Sequence, residues 1–145
     1  MKPNLSILIP CYNVEQTVRS VILDAYHVGK KVSLKLEIIA VDDASSDQTG
    51  TILKKLTTSI PPLRVITHQK NQGAGKTTKV LYLAAKNDWL FSLPGDDQFD
   101  AKEIYKLLPH APDTDMILGY RKHRHDSFRR LLQSKIYNGL LNIFF

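Results

Sequence analysis

The sequence predicts an α/β fold: a Rossmann-like, mainly parallel sheet flanked by helices. Three observations predict it. Short apolar, β-branched runs recur at 5–10, 36–42, 63–68, 88–93 and 114–119, with the length and composition of buried strands. The stretches between them, at about 15–29, 46–58, 74–86 and 100–108, read as helices, and such alternation builds a parallel sheet from repeated β-α units. The 145 residues, with 43% hydrophobic content, supply one core and not two, so residues 1–145 read as a single domain.

Taken in order, each predicted strand ends in unusual polar residues. The first runs into Pro10, Cys11, Tyr12 and Asn13, and the second into Asp42 and Asp43. The helix after the second opens with Ser45, Ser46 and Asp47 as candidate caps, which leaves Asp43 free for a ligand. The third strand leads into Asn71-Gln72-Gly73, and the fourth into Asp96-Asp97-Gln98. Trp89, within the fourth, reads as core. The fifth run, 114–119, is followed by a helix from about Ser127 to the end of the chain. In an open parallel sheet, ligands bind beyond the carboxyl ends of the strands. Four polar loops converging there make that rim the candidate site.

Composition narrows the function classes. Lys and Arg total 20 against 14 Asp and Glu, a formal charge of +6. The excess concentrates at Arg121, Lys122, Arg124, Arg129, Arg130 and Lys135, which points to an anionic partner. That charge lies beside an apolar stripe, Phe128, Leu131, Leu132, Ile136, Leu140, Ile143 and Phe144, and is not interleaved with exposed aromatics, so nucleic acid is not the expected partner. A basic amphipathic helix over 127–145 suits a membrane interface, and no run of about 18 apolar residues offers a span. The lone Cys11 excludes an intrachain disulfide, and no Cys/His spacing resembles a zinc site. The cytosol is the default compartment, with peripheral contact at the inner face of a membrane.

The segment Gly73-Ala74-Gly75-Lys76-Thr77-Thr78 invites comparison with the phosphate-binding loop of nucleoside triphosphatases. That loop needs a glycine five residues before Gly75, where this chain has Lys70, a residue that resists the tight backbone turn. A phosphate-loop enzyme therefore stays only as an alternative, using Lys76 with Asp96.

The segments Pro10-Cys11-Tyr12-Asn13-Val14-Glu15 and Asp42-Asp43-Ala44-Ser45-Ser46-Asp47-Gln48-Thr49 are similar to the opening signature of family 2 glycosyltransferases, a Pro-x-Tyr-Asn-x-Glu followed about thirty residues on by Asp-Asp-x-Ser-x-Asp-x-Thr. Both follow predicted strands, the context such motifs require. The resemblance implies the GT-A nucleotide-diphospho-sugar transferase fold and a UDP- or GDP-sugar donor. Pro10 and Tyr12 would wall the base, Asp43 accept from its ring N–H, and Asn13 and Glu15 complete the pocket. Lys76, on a stretch resembling the family's Asn-x-Gly-x-Gly, would approach the donor diphosphate. The family's Asp-x-Asp, which holds Mg²⁺ or Mn²⁺, falls on Pro94-Gly95-Asp96 when aligned on Gln98 and Phe99. Asp96 is then the metal ligand and catalytic carboxylate, with Asp97 and Gln98 beside it, while Pro94 departs from the pattern and cannot ligate.

The last segment resembles the polyprenyl-phosphate sugar transferases, in which a Gly-x-Arg and a helical Arg-x-x-x-Ser hold the lipid phosphate. Arg121, Arg130 and Ser134 match, and Arg130 and Ser134, four apart, share a helix face. The implied reaction moves a hexose from the donor to a polyprenyl phosphate, with inversion. Family members continue beyond this length, so the chain reads as the donor-binding part, either a fragment or truncated product or one whose missing elements come from elsewhere. A nucleotide-sugar-binding module impaired at Pro94 is the other alternative.

Overall fold

The computed structural model describes residues 2–119. Strands β1 (Asn4–Cys11), β2 (Lys35–Asp42), β3 (Leu63–Thr67) and β4 (Trp89–Ser92) form one sheet in the order β3-β2-β1-β4, with every pair parallel. Each lies within two residues of its sequence expectation. The pleat sends alternate side chains to opposite faces. From β1 and β2, Leu5, Ile7, Ile9, Ile38 and Ala40 face one side and form the main core with α1 (Val18–Val32) and α2 (Thr49–Leu56). Leu8, Ile39 and Val41 face the other side, where Leu81 of α3 (Ala74–Ala84) covers them. Trp89 is half-buried against the main core.

Direct backbone bonds extend this ladder into the rim. Asp43 N–H donates to the Cys11 carbonyl at 2.9 Å, His68 N–H to the Asp42 carbonyl at 2.9 Å, and Gly95 N–H to the Pro10 carbonyl at 3.1 Å. The loops that follow the strands are thus fixed at their roots. A side chain at Gly95 would meet Cys11 Sγ at 3.0 Å and the Pro10 carbonyl at 3.2 Å, so this close approach needs glycine.

Two of these elements differ from expectation. The helix expected over 100–108 is broken into a 3₁₀ turn (Ala101–Glu103), a single α turn α4 (Ile104–Leu107) and a second 3₁₀ turn (Leu108–Asp113). Pro109 and Pro112 remove backbone donors and disfavour regular helix before them. Asp100 Oδ1 caps the first turn by accepting from Lys102 N–H at 2.8 Å. The strand expected at 114–119 does not form: these residues have no regular structure, and Met116 and Leu118 are exposed. An apolar run becomes a strand only when a ladder accepts it. The chain divides after Pro112 into two units. The helix expected from Ser127, and with it Arg121, Arg130 and Ser134, lies outside the described residues.

Candidate functional site

The strand order reverses direction between β1 and β4, and a crevice at such a switch point is where open α/β sheets bind ligands. The loops after β1 and β4 flank it. On the β1 side, Tyr12 is 51% exposed beside the half-buried Pro10, which gives the rim an uncovered aromatic wall. Among the described residues, three non-glycine residues have positive φ, Asn13 at 52°, Ala44 at 58° and Asp97 at 59°. All three sit in rim loops, where strained backbone tends to gather at functional sites.

Asn13 and Glu15 are engaged in bracing. The loop after β1 and the loop after β2 run side by side and exchange side-chain hydrogen bonds. Asn13 N–H donates to Ser45 Oγ at 3.0 Å, while Asn13 Oδ1 accepts from Ser46 N–H at 2.9 Å. Two residues on, Glu15 N–H donates to Asp47 Oδ2 at 3.1 Å, and Glu15 Oε2 accepts from Gln48 N–H at 2.8 Å. Between these pairs Val14 N–H donates to the buried Thr49 hydroxyl at 2.9 Å. The matched spacing of the two motifs is therefore a structural stitch that holds Tyr12 beside the β2 loop. It also corrects the expected capping of α2: Gln48 is the cap position and offers no side-chain bond, while Asp47 Oδ1 accepts from Thr49 N–H at 2.9 Å and Glu15 supplies the second acceptor from another loop.

At the end of β2 and directly after it, Asp42 and Asp43 part to opposite faces of the sheet. Asp42 is buried against the Gly50 backbone of α2 and accepts from Ser45 N–H at 3.0 Å, which supports the loop after β2. Asp43 is not free, contrary to the expectation. It is 3% exposed. Its Oδ1 lies 2.6 Å from His68 Nδ1 and accepts from Gln72 N–H at 2.9 Å, and its Oδ2 accepts from Gly73 N–H at 2.9 Å. A carboxylate has about four acceptor sites, so most of its capacity is taken. Burial by itself would raise Asp43, but His68, the two backbone N–H groups and the nearby Thr77 hydroxyl outweigh it and hold its carboxyl below the usual range. The Thr77 hydroxyl is itself buried, with no partner at hydrogen-bonding geometry.

The same contacts bear on the phosphate-loop alternative. Backbone N–H groups that would cradle a phosphate in such a loop are at Gln72 and Gly73 committed to Asp43. Gly73, at φ 82°, turns the chain into α3, whose first turn carries the exposed Lys76, no acid and no side-chain cap. Beyond β4, Asp96, Asp97 and Gln98 are exposed, and Asp96 Oδ1 accepts from Gln98 N–H at 3.2 Å. No group of three metal-ligating side chains exists among the described residues. A lone carboxylate fits a hard divalent ion only when ligand phosphates and water complete the shell. Cys11 is buried, and burial, then the nearby Asp42, pushes its thiol up to about 12, so it is no nucleophile.

Two features escaped sequence reasoning. One is His68. The other lies at the opposite end of the strands, where Glu37 accepts from Ser6 Oγ at 2.8 Å, Arg64 at 3.0 Å and Lys86 N–H at 3.1 Å. Arg64 also donates to the Ala84 carbonyl at 2.6 Å and so closes the end of α3. Burial raises Glu37, yet these donors leave it below its ordinary value. Asp47 behaves likewise, with burial opposed by Thr49 and the Glu15 N–H.

These three carboxyls set an expected acid response. A group whose folded pKa lies below its unfolded value stabilises fully above the unfolded value, near 4 for carboxyls, and loses that stabilisation as pH falls through the folded one. Urea midpoints are expected to hold level from neutral pH to about 5 and to fall below about 4. A midpoint that rises on acidification contradicts the assigned network.

Residues 6–144 match the family described as Glycosyl transferase family 2. The chain belongs to that family. It is 30% identical over 141 residues to the undecaprenyl-phosphate 4-deoxy-4-formamido-L-arabinose transferase of Pectobacterium atrosepticum, covering 95% of this chain and 43% of that protein. The protein of the same name from Proteus mirabilis is 28% identical over 140 residues, with 94% and 43% covered. The chain thus spans 43% of the length of these relatives. Among solved structures, Staphylococcus aureus TarS in complex with UDP-GlcNAc superposes with a TM-score of 0.63 at 21% identity, over 86% of this chain and 37% of that one. A Pyrobaculum calidifontis mannosyltransferase in complex with GDP-Man and Mn²⁺ gives 0.60 at 18%, over 66% and 28%. These likenesses bear out the expected GT-A fold of the family. No helix among the described residues is long and apolar enough to cross a membrane.

Proposed function

We propose that this chain is the donor-binding part of a glycosyltransferase that moves a sugar from a UDP- or GDP-sugar to a polyprenyl phosphate. The observation that carries the reading is the rim itself: Tyr12 is exposed at the switch point, held by the stitch to the loop that bears Asp43, with Lys76 in the first turn of α3 and Asp96 on the loop after β4. Relatives named for undecaprenyl phosphate and neighbours solved with UDP-GlcNAc or GDP-Man support the two substrate classes. The sugar expected from the sequence is a hexose. The relatives' name carries an arabinose unit, so a pentose belongs in any test.

In this reading Pro10 and Tyr12 wall the base, and Asp43 orders the surrounding loop with one acceptor site left for a ring N–H. Asn13 and Glu15 act through the stitch. Lys76, in the open first turn of α3, lies where a diphosphate gains from helix N–H groups and positive charge. An acceptor phosphate is already ionised near neutral pH, so its oxygen attacks the anomeric carbon without a strong base while the nucleoside diphosphate leaves. Asp96, flanked by Asp97 and Gln98, would hold Mg²⁺ or Mn²⁺, which when bound supplies charge stabilisation to the diphosphate. Arg121, Arg130 and Ser134 are assigned to the acceptor phosphate, and the basic segment that carries them to peripheral contact with the inner face of a membrane.

Calorimetry of the chain against UDP-glucose, a UDP-pentose, GDP-mannose and ATP, each with and without Mn²⁺, tests this. One nucleotide-sugar is expected to bind more tightly than ATP, and more tightly with metal. Preferential ATP binding would restore the phosphate-loop alternative. Sugar-nucleotide binding that is indifferent to metal would favour a binding module impaired at Pro94.

A further inference from the structure

We infer that His68 is a positioning residue, which through Asp43 fixes the 71–73 loop and the opening of α3 for the donor diphosphate. The ligand named here rests on the function proposed above, while the clamp rests on geometry alone. His68 leaves β3 with its main chain tied to the sheet through the 2.9 Å bond to the Asp42 carbonyl. Its side chain is 8% exposed and its Nδ1 stands 2.6 Å from Asp43 Oδ1. An ionised carboxylate only accepts, so Nδ1 carries the hydrogen. The same carboxylate takes the N–H groups of Gln72 and Gly73, each at 2.9 Å. One buried charge thus gathers three donors from the segment that enters α3.

Two consequences follow for a diphosphate at that helix. The first turn of α3 has neither side-chain cap nor acid, so the direction of its leading N–H groups depends on how firmly the 71–73 loop is held. Asp43 is also a fixed negative charge 2.9 Å from the Gly73 N–H that precedes that turn, and His68, at 2.6 Å, is the shortest of its hydrogen-bond partners. Without the imidazole donor, one carboxylate oxygen loses its partner and turns toward solvent and the ligand. It would then repel phosphate as the loop loosens. Both effects weaken recognition of the phosphates more than that of the base.

The test uses the full 145-residue chain with His68→Leu and His68→Asn. Leu fills the site without a donor, and the Asn amide can stand where Nδ1 stands. In His68→Leu, hydrogen exchange at the Gln72 and Gly73 amides is expected to quicken, and affinity for UDP or GDP to fall about tenfold. Uridine or guanosine affinity is expected to fall less, because Asp43 keeps its charge and an acceptor site for the base. His68→Asn should restore both properties. Unchanged exchange in His68→Leu, an equal loss for nucleoside and nucleoside diphosphate, or an Asn variant as impaired as Leu would overturn the inference. Wild-type chain that binds no nucleoside diphosphate would overturn the proposed function and the diphosphate part of this inference. The exchange comparison would still support or overturn the clamp.

Discussion

Asp43→Ala is expected to lower affinity for the nucleoside diphosphate roughly ten- to a hundred-fold, the range of a buried charge-assisted hydrogen bond. It should also destabilise the chain by on the order of 3 kcal/mol. Three donors converge on this carboxylate, and its loss strands them in a site too closed for full rehydration. Asp42→Ala removes the acceptor for Ser45 N–H on the other face of the sheet and leaves the 71–73 loop held. It should therefore cost less affinity. Asp43→Asn sharpens the comparison, because the amide keeps the shape but turns a donor toward at least one N–H group. Equilibrium binding and urea unfolding of the three variants check this, and equal affinities for Asp43→Ala and Asp42→Ala would remove Asp43 from the nucleotide site.

The second large effect concerns the carboxylates after β4. Mn²⁺ or Mg²⁺ is expected to tighten nucleoside-diphosphate binding by about tenfold or more, or at least about 1.4 kcal/mol, and Asp96→Asn to abolish that gain with the fold intact. Asn keeps the volume and can still accept from Gln98 N–H, but it lacks the charge a hard divalent ion requires. Asp97, at φ 59° and exposed, is expected to tolerate the same change. Titrations with and without metal separate the two. If Asp97→Asn abolishes the gain and Asp96→Asn does not, the alignment across Pro94 is off by one residue.

What was legible in the sequence was local. The pleat period and the turn residues placed β1 to β4 within two residues, because a strand buried on both faces writes a continuous apolar run. The motif spacing assigned the family. Less legible were contacts between residues far apart in sequence. The first helix begins at Val18 and not near residue 15, because the residues before it are held by the loop 32 to 35 positions on. Asp43 looked free because His68 and the Gln72 and Gly73 amides lie 25 to 30 positions away, and no periodicity records such a bond. The run at 114–119 has the composition of a strand, but composition does not say whether a ladder will accept it.

The central claim is that the four rim loops form one nucleotide-sugar site, and hydrogen exchange of the chain with and without saturating donor and Mn²⁺ tests it most directly. Donor is expected to protect backbone amides in the loop after β1 around Tyr12, at the opening of α3 around Lys76, and beyond β4 around Asp96, all together. The Glu37–Arg64 cluster at the opposite end of the strands should be unchanged. Protection confined to one loop, or centred on that opposite end, would contradict the account.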